Sequence, residues 1–209
     1  YVEQDQVMRA VATQSGATWG IDRIDQRARP LSGTYVYNAD GTGVTVYILD
    51  TGINFTHTEF GGRAVSGYDA ITSGGTSADC NGHGTHVAGT VGGTVYGVAK
   101  KAKLVAVRVL DCSGSGSTTG VIAGSVLACS GPGSTTGVIA GIDWVTAQKN
   151  AAPAVPSAAN MSLSGGLSTA LNQAVARSTA AGVTYAVAAG NSSANACTQS
   201  PAAEPSAIT

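Results

Sequence analysis

The chain has 209 residues, 11% of them charged, and a formal net charge of −1, so it holds no block of Lys and Arg to neutralise phosphates and nucleic acid is not an expected partner. No apolar run approaches the roughly 18 residues that a membrane helix needs, so no membrane association is expected. The 29 glycines, with many Ala, Ser and Thr, describe a closely packed, loop-rich soluble monomer of a size for one large α/β domain.

Residues 1–11 alternate partly like an edge strand and lead into a polar stretch, Thr13 to Gly16, that reads as a linker. Asp22-Arg-Ile-Asp-Gln26 follows and places Asp22, Asp25 and Gln26 within five residues. Three oxygen donors so close suit a hard cation, and a solvated turn is the other reading. Val44 to Leu49, Leu104 to Leu110 and Val183 to Ala189 are β-branched or apolar runs that end in polar or glycine residues, as buried parallel strands do. Between them, His83 to Gly92, Val138 to Lys149 and Ser168 to Ala181 have helical spacing, the last capped by Ser168 and closed by Gly182. The alternation predicts a three-layer α/β sandwich with a mostly parallel central sheet. One segment is duplicated: Val109 to Gly124 recurs seventeen positions on, as Val126 to Gly141. It is too local for a solenoid and reads as a tandem duplication of one strand-turn-helix junction. The first residue is Tyr1 rather than Met, and Ile208-Thr209 reads as the start of a strand, so a fragment is expected. Cys80, Cys112, Cys129 and Cys197 contain no C-x-x-C pair, which fits an oxidising, extracellular setting better than a zinc site.

In an open parallel sheet, functional groups gather beyond the carboxyl ends of the strands, where loops meet helix N-termini. Asp50 sits at such an end. His83 opens a helix within Asn81-Gly-His-Gly-Thr-His-Val-Ala-Gly89, and Asn191 closes a third strand in Ala188-Ala-Gly-Asn191. An acid to orient an imidazole, an imidazole to carry a proton and an amide to face an oxyanion make most of an acyl-transfer site. The nucleophile is missing. Singly, each residue also reads as a turn or structural residue. Jointly, Tyr-Ile-Leu-Asp-Thr-Gly, Gly-His-Gly-Thr-His-Val-Ala-Gly, Asn-Met-Ser-Leu and Ala-Ala-Gly-Asn, in that order, resemble the subtilase family of serine proteases, in its proteinase K and aqualysin branch.

By that resemblance the fold is subtilisin-like. Asp50 holds the imidazole, His83 is general base and then acid, and Asn191 is the side-chain oxyanion donor. The serine is expected beyond Thr209, in a Gly-Thr-Ser-x-Ala motif. Gly75-Thr76-Ser77-Ala78 shows similar letters but precedes His83, a coincidence. Gly114, Ser115 and Gly116 match one substrate-binding segment, and Ser162, Leu163, Ser164 and Gly165 match the other. An extended peptide is expected to add to them as a strand. Ser164 stands where the family has glycine, a change expected to narrow the primary specificity pocket. The repeat offers a rival to the first segment, Gly131-Pro132-Gly133, but Pro132 lacks an N–H. Cys80 and Cys112 match a disulfide, Cys197 a second bridge whose partner lies beyond Thr209, and Cys129 is the duplicate of Cys112. Residues 1–11 resemble the end of an inhibitory propeptide, with Ala12 at the mature N-terminus and the peptidase domain over 12–209. Calcium is the expected structural ion, near Asp22, and no catalytic cofactor is implied. The expected activity is endoproteolysis of proteins and peptides outside the cell, the chain as given being inactive.

Three other readings compete. A non-catalytic relative would keep the cleft as a peptide-binding module. A dinucleotide enzyme is suggested by Gly114-x-Gly116-x-x-x-Gly120 after a strand, but no acidic residue ends a following strand where a ribose would need it. His83 and His86 as zinc ligands fail on spacing, being three apart with no Glu between.

Overall fold

The computed structural model describes residues 12–117 and 133–209. The expectations placed on residues 1–11, on residues 118–132 of the repeat and on Cys129 lie outside the described residues. The strands are β1 (Ala12–Ser15), β2 (Thr34–Tyr37), β3 (Thr45–Asp50), β4 (Ala64–Asp69), β5 (Lys103–Arg108), β6 (Gly116–Ser117), β7 (Gly133–Ser134), β8 (Ser157–Met161), β9 (Gly165–Gly166), β10 (Val183–Val187) and β11 (Gln199–Ser200). The helices are α1 (Trp19–Asp25), α2 (His83–Gly92), α3 (Thr135–Ala151) and α4 (Thr169–Ala180).

Five strands form the central sheet, in the order β10-β8-β3-β5-β4 and all parallel. Side chains alternate across a strand, so β3 sends Val46 and Ile48 to one face and Tyr47 and Leu49 to the other. β5 does the same with Leu104 and Ala106 against Val105 and Val107. One face packs on Ile142 and Val145 of α3 and on Leu171, Ala174 and Val175 of α4, the other on Ala88 of α2. This is the three-layer α/β arrangement that the sequence predicts, and burial on both faces explains why these strands read as unbroken apolar runs. Close layer contact depends on Gly141, where an added Cβ would come within 2.7 Å of Val109 Cγ1 and 3.0 Å of Val107 Cγ1.

Several elements differ from the expectation. The polar stretch read as a linker is β1, paired antiparallel with β2. Ala-Thr-Gln-Ser has no apolar alternation, and its ladder comes from a partner about 20 positions away in which Tyr35 is buried and stacks on Tyr37. The Asp22 segment is helix α1, not a turn. β8, small and polar in sequence, is held as a strand by β3 and β10 on its two sides. Ile208, by contrast, pairs in parallel with Ala186 beside β10, in agreement with the strand start read at Ile208-Thr209.

Helix α4 starts where the sequence places its cap: Ser168 Oγ accepts the Leu171 N–H at 3.3 Å, and Gly182 follows at φ +99°. Ser168→Ala is expected to cost about 1 kcal/mol, the usual loss of an N-cap oxygen. Calorimetry should then show a melting midpoint about 2–4 °C lower; an unchanged midpoint would mean that water replaces the hydroxyl.

Candidate active site

Asp50 is the last residue of β3 and fully buried. Its carbonyl accepts the N–H groups of Val109 and Leu110 at 2.9 and 3.2 Å, which ties the end of β3 to the chain leaving β5. Its Oδ1 accepts the Thr51 N–H at 2.7 Å and lies 2.7 Å from Nδ1 of His83, while Oδ2 is buried without a partner. An ionised carboxylate can only accept. The imidazole proton therefore sits on Nδ1, and Nε2 is left as an acceptor. The His83 side chain is 49% exposed and lines a cleft, so a half-open imidazole is backed by a buried carboxylate.

His83 is the first residue of α2. Gly84 follows because the helix start lies against the turn after β3: an added Cβ would sit 2.2 Å from the Gly52 carbonyl oxygen and 3.1 Å from Asp50 Oδ1. The loop before the helix is organised by Asp79, which the sequence reading missed. Burial alone would raise its carboxyl pKa. Hydrogen bonds from the Gly82 N–H, the Thr85 hydroxyl and the Asn81 and Thr85 N–H groups outweigh burial and hold it below the ordinary value. An acid shortly ahead of a helix start is the signal that could have found it.

The cleft has a volume of about 320 Å³ and is lined by Thr51, Asn81, His83, Gly114, Leu163 and Ser168, among others. Of the predicted substrate segments, Ser162, Leu163, Ser164, Gly165 and Gly114 line it. Ser115 does not. The Ser115 N–H is given to Asp111 Oδ1 at 3.1 Å, and Gly116 pairs with Gly133 of β7. Gly165 is paired with Ser200. Asn191 is exposed and outside the cleft lining, but it adjoins it: a Cβ on Gly190 would lie 3.4 Å from Ser164 Oγ. Ser77, of the Gly-Thr-Ser look-alike, is fully buried with φ 47°, and its hydroxyl bonds Ser66 Oγ at 3.0 Å. His86 lines a separate cavity with His57 and Phe60.

Cys80 and Cys112 form a disulfide and Cys197 is free and exposed. Asn81 reinforces the bridge, with Nδ2 donating to the Cys112 carbonyl at 3.0 Å and Oδ1 accepting the His83 N–H at 3.1 Å. The cation candidates are largely engaged by protein donors. Asp22 is buried and accepts from the N–H groups of Ser32 and Gly33 at 3.2 and 2.7 Å, and Gln26 Oε1 accepts the Ser32 N–H at 3.1 Å. Asp25 Oδ2 accepts from the Val36 N–H, while its Oδ1 is buried without a partner. Among the described residues no three His, Cys, Asp or Glu side chains converge as a metal site, and no helix is long and apolar enough to cross a membrane.

Comparison with known proteins gives the same direction. Residues 41–209 match the model of the Subtilase family. The extracellular serine proteinase of Thermus sp. (strain Rt41A) is 56% identical over 209 residues, all of this chain and 46% of that protein. Alkaline serine exoprotease A of Vibrio alginolyticus is 52% identical over 215 residues, all of this chain and 36% of that protein. Proteinase T of Parengyodontium album is 47% identical, over all of this chain and 66% of that protein. The crystal structure of a cold adapted subtilisin-like serine proteinase superposes with a TM-score of 0.81 at 53% identity, over 93% of this chain and 64% of that one. The chain thus spans less than half the length of the Thermus and Vibrio relatives.

Proposed function

Because the chain belongs to the subtilase family, we propose that it supplies the acid, the base and the peptide cleft of a serine endopeptidase whose nucleophile lies in sequence beyond Thr209. The 2.7 Å bond between Asp50 and His83 at the mouth of the cleft carries this reading. Among the described residues, the only side-chain hydrogen bond of His83 is to Asp50, which leaves Nε2 for a serine hydroxyl. In the reaction, His83 Nε2 takes the serine proton as the oxygen attacks the peptide carbonyl, and Asp50 steadies the imidazolium. Asn191 donates to the oxyanion. His83 then returns the proton to the leaving amine, and water repeats the sequence on the acyl-enzyme.

Substrate adds as an extended strand along Gly114–Gly116 and Ser162–Gly165, giving affinity with little sequence demand and a preference for apolar or aromatic residues before the cut. Ser164 narrows the pocket that a glycine would leave wider. Residues 1–11 are the end of an inhibitory propeptide released by cleavage before Ala12, and the protein is a secreted monomer. A structural calcium near α1 would have Asp25 Oδ1, buried without a partner, as its open acceptor; Asp22 and Gln26 already accept from the Ser32 and Gly33 N–H groups, so they do not complete the set, and the ion would take no part in the chemistry. A peptide-binding module without catalysis is the second reading; it would use the same cleft, lined by Ser162 to Gly165.

A serine-directed organophosphonate tests the proposal. The 209-residue chain is expected to remain unlabelled, and the chain extended through the downstream serine segment to be labelled stoichiometrically. Label on the short chain would show a misplaced nucleophile, and an extended chain that binds peptide but resists labelling would establish the binding module.

A further inference from the structure

One carboxylate beside the site takes no part in the reaction above, yet the hydrogen bonds around both reacting partners converge on it. Asp79 Oδ1 accepts from the Thr51 hydroxyl, the Asn81 N–H and the Gly82 N–H, each at 2.9 Å. Its Oδ2 accepts from the Thr85 N–H at 3.0 Å and from the Thr85 hydroxyl. Thr51 closes the circuit: its N–H donates to Asp50 Oδ1 at 2.7 Å, and its Oγ1 accepts the Gly84 N–H at 3.0 Å. Asp79 therefore holds the residue after Asp50 and the residue before His83 directly, and the residue after His83 through Thr51. No cation is paired with Asp79 among the described residues.

We propose that Asp79 is a positioning residue that sets the Asp50–His83 geometry, acting through Thr51 on one side and the first turn of α2 on the other. The proposal rests on the acid–base reading above. Ionisation is required for the role. An Asn can place its carbonyl at only one of the two oxygen positions and turns an N–H₂ toward donors at the other, so an isosteric change breaks the hub without changing its size.

The test uses the 209-residue chain itself and needs no activity. Proton NMR should show the downfield Nδ1–H of His83 bonded to Asp50, identified by its loss in His83→Ala. Asp79→Asn is expected to shift this resonance or lose it to exchange, and Thr51→Val to do the same without touching Asp79. Thr51→Ser, which keeps the hydroxyl, should retain the parent signal, as should Asp40→Asn, which removes a carboxylate from a surface turn. In the extended, active chain Asp79→Asn should lower kcat about 10–100-fold, as a small misplacement of reacting groups does, with KM within about threefold. If Asp79→Asn and Thr51→Val lower only the melting midpoint and leave the resonance in place, Asp79 is a helix cap and the proposal is overturned. Absence of the resonance from the parent chain would instead remove the Asp50–His83 bond, and the proposal with it. Should Asp79→Asn fail to fold, Thr51→Val decides.

Discussion

His83→Ala, made in the chain extended through the proposed serine, is expected to lower kcat about 10⁶-fold while KM changes little, and Asp50→Asn to lower it about 10⁴-fold; the first magnitude is that of subtilisin and the second that of the same Asp→Asn change in a chymotrypsin-type protease, both carried over to this chain. The inequality follows from geometry. In the proposed reaction His83 carries the proton, so its loss would leave the serine as an alcohol of ordinary reactivity. Asp50 acts one bond further out, through a 2.7 Å contact that fixes Nδ1 as the protonated nitrogen. An amide in its place presents either its oxygen or its N–H₂ to that nitrogen, and the second choice moves the imidazole proton to Nε2, where a base is needed. Asp50 is also fully buried, so burial should keep bulk water from replacing the lost charge. Steady-state kinetics on a peptide anilide measure both values. Equal losses for the two variants, or a Asp50→Asn enzyme within tenfold of the parent, would mean that the acid is not coupled to the base.

Removal of the Cys80–Cys112 disulfide by paired alanine substitution should cost about 3–4 kcal/mol, the loop-closure value for a sequence separation of 32. For a chain of this size that corresponds to a melting midpoint lower by about 6–16 °C. The bridge reaches into function because of what lies beside it. Cys80 is three residues before His83, Cys112 is two before Gly114 of the cleft, and Asn81 links the two segments through the Cys112 carbonyl and the His83 N–H. The Arg108 guanidinium lies against both sulfurs at 3.2 and 3.4 Å while pairing with Asp69, so it loses part of its setting as well. Scanning calorimetry of the double variant gives the number; a shift under about 3 °C would show that the unfolded chain gains little freedom when the bridge is removed.

Legibility in the sequence followed physical cause. β3 and β5 could be read because both sheet faces are covered, which makes nearly every position apolar. α4 could be read because its cap is a local event, a hydroxyl three residues from the N–H it serves. β8 could not: Ser157 to Asn160 are small or polar, and their strand state comes from neighbours 100 or more residues earlier and about 26 later. β1 was misread for the same reason. In the site, Asp50 and His83 stand out because strand end and helix start are visible in the sequence and their motifs have a family form. Asp79 was silent because its role is to accept from backbone N–H groups, which every residue type carries. In the segment Gly114 to Gly116, matching letters could not show that the Ser115 N–H is given to Asp111, because that bond depends on the turn the loop makes.

The most direct measurement is to treat the extended chain with a serine-directed organophosphonate and map the adduct by mass spectrometry, beside the same chain carrying His83→Ala. A single adduct on a serine C-terminal to Thr209, formed at least a thousandfold more slowly without the imidazole, is the expected result. An adduct on Ser77 or any other serine of residues 12–209, or equal rates in the two chains, would contradict the assignment of Asp50 and His83 as the acid and base of a protease.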